Sequence, residues 1–490
     1  MELTATISMA VAPVVSFVVV WLLRRRQKPL NLPPGPRGWP VFGSINLLAG
    51  PLPPHRALAA LAAGHGLLMH LRLGSFHAVV ASSAETARLV LKTDDLAFAD
   101  RPPSAMGATM SYGYKGIVQT PYGAYWRMAR KLCATELFSV RRVESFERAR
   151  GGDARVGRGL FESGSAGAGA GVEAKERLLN LTMRNILRMA VGEKWSGCHG
   201  SEEGLAFRRA LDEAFAVTGA VDNVGEWRVH ELFDRFVEQI LDEHEGDRRR
   251  RSASVGGGEF PARDLVDVLL QLSEEGGGEA EESEPEARLT RDGVKAFVQD
   301  IIVAGTYTAA VTMEWAMAEL LRRPDAMAHA AAELDRRDLP ALPYLDAVLK
   351  ETMRLHPVAP FLLPHRARED AVVGGYDVPA GARVLVNAWA VARDPASWPG
   401  ESNAFRPERF LAGGGAAEGV DEMAATLANL VHGFTWRLPD GVAPKDVSME
   451  ECFGLTASRK VPLVAVAEAA GAPVRRRRLI VQLKFEDISL

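Results

Sequence analysis

KETMRLHP, Lys350 to Pro357, is the stretch on which the fold turns. On a helix Glu351 and Arg354 stand three residues apart and share a face. An exposed pair of this kind contributes only about 0.2 to 0.5 kcal/mol, so alone it marks little more than a charged helix face. Further along, FRPERF, Phe405 to Phe410, supplies Arg409 among aromatic residues. One carboxylate held by two guanidiniums forms a fork of charge-assisted hydrogen bonds, which suits a pre-organised structural knot. The two motifs together predict that Glu351, Arg354 and Arg409 meet.

Around these motifs most of the chain reads as helix. Apolar residues recur at helical spacing over residues 57–62, 125–138, 232–245, 265–272, 294–321 and 344–355. Strand-like runs are few and short: HAVVAS near Val79, VGGYDVPAGARVLVNAW from Val373, and RLIVQLKF near the end. The expected fold is mainly α, a large helical domain with a small β-sheet subdomain. Two low-complexity stretches, SGSAGAGAG from Ser163 and EEGGGEAEESEPEA from Glu274, cannot bury enough apolar surface to pack and read as surface loops.

With 490 residues, 47% hydrophobic and 24% charged, the chain is ample for one large domain or two. A net charge of -4 and a pI near 6.3 leave no basic footprint for a nucleic acid, and no such partner is implied. The three cysteines, Cys133, Cys198 and Cys452, are an odd number at irregular spacing, giving neither a disulfide framework nor zinc knuckles. No metal site is expected from them, and the working domain belongs in a reducing compartment.

Leu3 to Leu23 carries no charged residue, and as a helix it reaches roughly 31 Å, about one hydrocarbon core. Glu2 precedes it and Arg24, Arg25, Arg26 and Lys28 follow, the pattern of a retained anchor rather than a cleaved signal peptide. The basic cluster places the rest of the chain in the cytosol. Residues 1–28 are therefore read as a transmembrane anchor with a basic stop-transfer, and residues 29–43 as a hinge stiffened by Pro33, Pro34, Pro36 and Pro40. The main domain follows over 44–490.

E-x-x-R at Glu351 and Arg354, followed by P-E-R-F at Pro407 to Phe410, resembles the cytochrome P450 haem-thiolate monooxygenases in their plant A-type form. The anchor, the PPGPRGWP hinge, W-x-x-x-R at Trp126 and Arg130, and AGTYTAA in a long central helix extend the resemblance over nearly the whole chain. The resemblance implies haem, dioxygen and electrons from an NADPH-dependent cytochrome P450 reductase. It also implies a location in the endoplasmic reticulum membrane and oxidation of a small apolar or phenolic plant metabolite, flavonoid- or terpenoid-like.

It implies roles for particular residues too. Glu351, Arg354 and Arg409 become a structural triad on the haem side. Trp126 and Arg130 become donors to a haem propionate, an indole N–H and a permanent cation. In PHRA, Pro364 to Ala367, either His365 or Arg366 offers a further donor. Thr308 stands where the family carries the threonine that assists proton delivery. Tyr307 occupies the place of its acidic neighbour and is a poor substitute, because a phenol with a pKa of about 10 does not exchange protons readily at neutral pH. A packing role for Tyr307 is equally open. Gly305 is assigned to close approach by bound oxygen, since glycine in a helix interior costs about 1 kcal/mol against alanine.

The family's chemistry depends on a cysteine thiolate to the haem iron, carried in F-x-x-G-x-R-x-C-x-G after PERF. None of the three cysteines fits. Cys133 and Cys198 precede E-x-x-R, and Cys452 has Glu450 where the arginine belongs and Ser448 where the glycine belongs. The chain also reads as shortened near 227, 336 and 422, with the ligand loop lost at Asp421 to Met423. The expectation is thus a monooxygenase impaired as written. The alternative is a non-catalytic binding protein of the same fold, and a weaker idea is haem ligation by His432.

Overall fold

The computed structural model of the chain describes residues 30–137, 139, 171–196, 202–217, 223–255, 262–274, 288–335, 342–411 and 421–469. The apolar amino-terminal run, the loop from Ser163, most of the loop from Glu274, Cys198, the break at 336 and RLIVQLKF lie outside these residues.

Ten helices of nine residues or more build the described part. They are α1 (Pro54–His65), α2 (Ala124–Leu132), α3 (Ala174–Val191), α4 (Glu202–Val217), α5 (Asn223–Val255), α6 (Leu265–Glu274), α7 (Arg291–Arg322), α8 (Pro324–Asp335), α9 (Pro343–Leu355) and α10 (Asp421–Gly433). Each helix expected from periodicity is present; the one expected over 125–138 is α-helical only to Leu132 and continues as a π-helical turn over Cys133–Leu137. The stretch around 227 lies within the unbroken helix α5 rather than at a loop end.

Helix α7 is the axis of the molecule. Thr290 caps its amino terminus by accepting from the Gly293 amide at 3.3 Å, and apolar residues cover nearly all its sides, as befits a helix buried all round. It is long and apolar enough to cross a membrane, yet most of that apolar window is buried within the protein, which marks it as a core helix. Phe297, Ile302, Val311 and Trp315 join one large cluster with residues of α3, α5, α9 and α10.

A smaller four-stranded sheet lies beside this helical body, in the order β1 (Leu68–Leu73), β2 (Phe76–Ala81), β7 (Arg383–Val386) and β4 (His365–Arg366). Strand β2 pairs antiparallel with β1 and parallel with β7, with Val79 opposite Val384. Val79, Ala81, Val384 and Val386 form a second core with Phe98. Two short hairpins, β5 (Ala371–Val373) with β6 (Tyr376–Val378) and β9 (Glu451–Phe453) with β10 (Ala457–Arg459), complete the small-sheet part. A further sheet places β11 (Val464–Ala469) between β3 (Val172–Glu173) and β8 (Phe434–Arg437).

The carboxylate knot forms at the end of α9. Glu351 is fully buried and receives Arg354 through two bonds, Nε at 2.6 Å and Nη2 at 2.8 Å. Arg409 reaches the same carboxylate at 3.3 Å, and the Arg406 amide donates to it at 2.7 Å. Arg354 spends its remaining donors on the carbonyls of Ala392, Ser402 and Ala404. One buried and one partly buried guanidinium around one carboxylate, with these carbonyls satisfying the spare N–H groups, fix the loop before Pro407–Phe410 against α9.

Candidate active site

In the middle of α7 one short stretch is not covered. Ala304 is exposed and Thr308 half-buried, although Ile302, Thr306 and Ala310 around them are buried. Residues four apart are neighbours on a helix surface, and the Thr308 hydroxyl donates to the Ala304 carbonyl at 2.6 Å. Methyl groups and one hydroxyl therefore wall this opening.

Gly305 has a different reason from the one expected. A Cβ there would meet Ile186 Cδ1 at 2.5 Å, so the glycine lets α3 approach α7, and close packing rather than bound oxygen explains it. Tyr307 also departs from a catalytic placement. Its ring stacks on Phe215 of α4 at 4.0 Å and carries Lys175 over its face at 5.1 Å. It lines a separate cavity of about 340 Å³ with Lys175, Asp212, Phe215 and Cys452. The structure does not gather Tyr307 and Thr308 at one site.

The candidate propionate donors stand on α2 and on strand β4. Trp126 packs on Tyr122 with ring centroids 5.4 Å apart, the Tyr122 amide donates to Asp100 Oδ1 at 3.3 Å, and Asp100 Oδ2 pairs with Arg366 at 3.5 Å. Arg366 thus faces Asp100 and is substantially exposed. His365, on the opposite side of the two-residue strand, bonds the Phe98 carbonyl through Nδ1 at 2.8 Å. Burial, and then the Arg101 charge, lower its pKa and keep the ring neutral. Arg101 fixes the approach to β4 by donating to the carbonyls of Leu363 and Pro364. Arg130 is half-buried on α2 and makes no ion pair among the described residues.

A loop from Met110 to Thr120 borders α7 just before the opening, held by contacts that no sequence pattern announces. Gln299 donates to the Met110 carbonyl at 2.9 Å. Lys295 lies 5.5 Å over the Tyr112 ring, and the Tyr112 hydroxyl donates to Asp234 of α5 at 2.9 Å. Tyr125 donates to the Lys115 carbonyl at 2.8 Å. Asp300 accepts from the amides of Ile117 at 2.8 Å and Val118 at 3.1 Å. Its burial outweighs these two donors and pushes the carboxyl up to about 6. Tyr112 and Tyr114 hold φ of 50° and 65°; such left-handed non-glycine conformations cost on the order of 1 to 3 kcal/mol each and persist only where surrounding contacts enforce them.

Haem bound in the family's manner needs a cysteine thiolate, and neither cysteine among the described residues fits that role. Cys133 is buried in the core at the end of α2. Burial pushes its thiol up to about 12, only partly countered by Arg130, so it stays protonated. Cys452 is exposed on β9 and lines the Tyr307 cavity, not the Ala304 opening. The connection from Leu411 to Asp421 contains only alanine, glycine, glutamate and valine between its ends. His432 is exposed in the last turn of α10. One group of metal-type side chains, His244, Asp264 and Asp267, brings its donor atoms within 4.8 Å. All three are engaged: His244 bonds Ile240 O and Asp264, while Arg251 and Arg263 neutralise Asp267.

A helical body around one buried axis, a small sheet at its side and an E-x-x-R knot closed by PERF define the haem-thiolate monooxygenase architecture. The sequence profile of the Cytochrome P450 family matches residues 33–422, and the chain belongs to that family. Trimethyltridecatetraene synthase and dimethylnonatriene synthase, both of Zea mays, are each 61% identical to it. The alignments cover 95% and 96% of this chain and 94% and 98% of theirs. A flavonoid 3'-monooxygenase of Oryza sativa subsp. japonica is 35% identical over 93% of this chain and 95% of its own. A solved zebra fish cytochrome P450 with progesterone superposes with a TM-score of 0.70 at 25% identity, covering 85% of this chain and 100% of that one. The alignment with the trimethyltridecatetraene synthase runs over 523 positions, more than the 490 residues here, so that relative carries residues without a counterpart in this chain.

Proposed function

We propose that the chain is a membrane-anchored member of the monooxygenase lineage whose pocket takes a small apolar or phenolic plant metabolite, and that as written it is impaired in haem-thiolate oxidation. The observation that carries the pocket is the exposure of Ala304, with Thr308 half-buried one turn on, in the middle of a helix otherwise largely buried. Within that class a branched, terpenoid-like ligand is favoured over a flavonoid one, because the relatives at 61% identity are named as synthases of branched polyenes and the flavonoid enzyme stands at 35%. Trp126, Arg130 and His365 are the propionate-side donors in this proposal, with Thr308 the hydroxyl nearest the reacting molecule. The apolar run and basic cluster at the amino terminus support anchoring in the endoplasmic reticulum membrane with the domain on the cytosolic side. There an NADPH-dependent cytochrome P450 reductase would meet it.

Impairment rests on sulfur. No thiol stands between PERF and α10, and the family match stops at Glu422, beside the junction where the ligand loop belongs. A binding protein that keeps the pocket without the oxidation is the second reading, favoured by the buried, protonated state of Cys133.

Reconstitution tests both. The full chain is placed in lipid nanodiscs with haem, the reductase and NADPH, and offered geraniol, farnesol and the flavanone naringenin. A second chain carries an F-x-x-G-x-R-x-C-x-G segment inserted after Asp421. The chain as written is expected to form no NADPH-dependent product, and the restored chain to oxidise a terpene alcohol in preference to naringenin. Product from the unaltered chain would overturn the impairment, and a haem-loaded restored chain that oxidises none of the three would overturn the substrate class.

A further inference from the structure

The β1–β2 hairpin closes through a two-residue turn, Gly74 and Ser75, with Leu73 paired to Phe76. Gly74 takes a φ of 61°, the left-handed start that such tight turns demand. The turn fixes the register, which sets His70 opposite Val79 and Arg72 opposite His77. His70 and His77 therefore stand on one face of the sheet along a diagonal, where aromatic and long side chains reach each other. A slip of one residue would send them to opposite faces.

The two side chains meet ring to ring. His70 Nε2 lies 2.9 Å from His77 Nδ1, the ring planes are 39° apart, and both residues are half-buried. One nitrogen donates and the other accepts, so at least one ring is neutral and its lone pair already faces the partner. Two imidazole nitrogens bound at right angles to one ion, at about 2.0 to 2.1 Å each, are separated by about 2.9 Å, whereas a tetrahedral ion spreads them to about 3.3 Å. The hairpin holds the first of these separations. Seating an ion asks only that the rings turn to converge, and the terminal torsion of histidine is broad. Arg72, a cation on the same face, spends its donors on the carbonyls of Gly74 at 3.0 Å and Pro40 at 2.9 Å.

A cross-link here also has something to hold. Strand β1 is the edge of the four-stranded sheet, and the His70 amide donates to the Pro34 carbonyl at 3.0 Å, so the proline-rich hinge is tied to this strand.

We propose that His70 and His77 form a two-histidine chelate for a divalent transition ion of tetragonal preference, Cu2+ ahead of Zn2+, which fastens the edge strand β1 to β2. The ion replaces the proton that the two rings share, and water completes its coordination. The site is independent of haem and of the Ala304 opening, so either can fail without the other.

The full chain in lipid nanodiscs, without a polyhistidine tag, is titrated with Cu2+ and with Zn2+ by calorimetry. Electron paramagnetic resonance of the first Cu2+ equivalent reports the ligands, and amide hydrogen exchange reports the fastening. That first equivalent is expected to show coupling to two nitrogens and to bind about tenfold or more tighter than Zn2+. His70→Ala and His77→Ala should each weaken it about tenfold or more, and the double variant should add little, because the two ligands act as a unit. His77→Gln keeps a hydrogen-bond partner for His70 without a ligand nitrogen, and is expected to match His77→Ala. His65→Ala, on α1 outside the pair, should leave the affinity as it was. Saturation with Cu2+ should slow exchange of the β1 amides about threefold or more in the unmodified chain and not in His77→Gln.

An unmodified chain that binds Cu2+ no more tightly than the double variant refutes the site, and so does a first equivalent coupled to one nitrogen or none. Equal affinity in His77→Gln and the unmodified chain refutes the chelate and reduces the contact to a shared proton. Zn2+ bound as tightly as Cu2+ refutes the tetragonal geometry. Tight Cu2+ binding with unaltered exchange over Leu68–Leu73 refutes the fastening.

Discussion

Glu351 is the residue whose loss the fold should feel most. Its carboxylate is fully buried between Arg354 and Arg409, and deleting it leaves a guanidinium buried without its counter-charge. Glu351→Ala is expected to cost about 3 to 5 kcal/mol, the range for breaking a buried pair from one side. A lower urea midpoint would register it, whereas an unchanged midpoint would show that the knot carries no stability. This triad was legible because E-x-x-R and P-E-R-F together resemble the family's motifs; the helix-spaced acid and base alone are a weak signal. The directions of Tyr307 and Gly305 were not legible. Each depends on which neighbour lies across the helix, and Phe215 and Ile186, the residues that decide it, are far away in sequence. The partners of His365 and Arg366 were likewise hidden, since Phe98 and Asp100 come to β4 from far away in sequence.

Among elements, the attachment of α1 to the β9 hairpin has a pH signature. His55 Nε2 at 2.8 Å and Arg56 Nε at 3.0 Å both bond Glu451. Burial works to raise the Glu451 pKa, but the bonds from His55 and Arg56 outweigh it and bring it from 4.5 down to about 2. A carboxyl depressed on folding adds stability that is complete above its unfolded value and is lost as pH falls through the folded one. The contribution, on the order of 3 kcal/mol, is therefore expected to be full above about pH 4.5 and to disappear toward about pH 2. Glu451→Gln should flatten that part of the stability-versus-pH curve, and a curve of unchanged slope would rule the contact out as its source. Elements with strong periodicity, such as α7 and α9, could be read from sequence. Strands β3 and β8 could not, since two to four residues become a strand only by pairing with β11. The strap along α7 was hidden for a related reason: Lys295, Gln299 and Asp300 look like ordinary polar positions until the loop is laid against them.

For the whole molecule, the scaffold and the chemistry point in different directions. The carboxylate knot and the buried axis are those of a cytochrome P450, while no cysteine lies between PERF and α10, where the family places its iron ligand. That conflict was visible in sequence because three cysteines can be tested one by one, and structure adds why Cys133 and Cys452 do not substitute: one is a protonated thiol in the core, the other lies at a different cavity. Electron donation from a thiolate is what gives the reduced, carbon monoxide-bound haem its red-shifted absorption band. The most direct measurement is the carbon monoxide difference spectrum of the dithionite-reduced full chain after incubation with haem, beside the chain carrying the restored cysteine segment. The account predicts no red-shifted thiolate band from the chain as written and its appearance in the restored one; a clear band from the unaltered chain would contradict it.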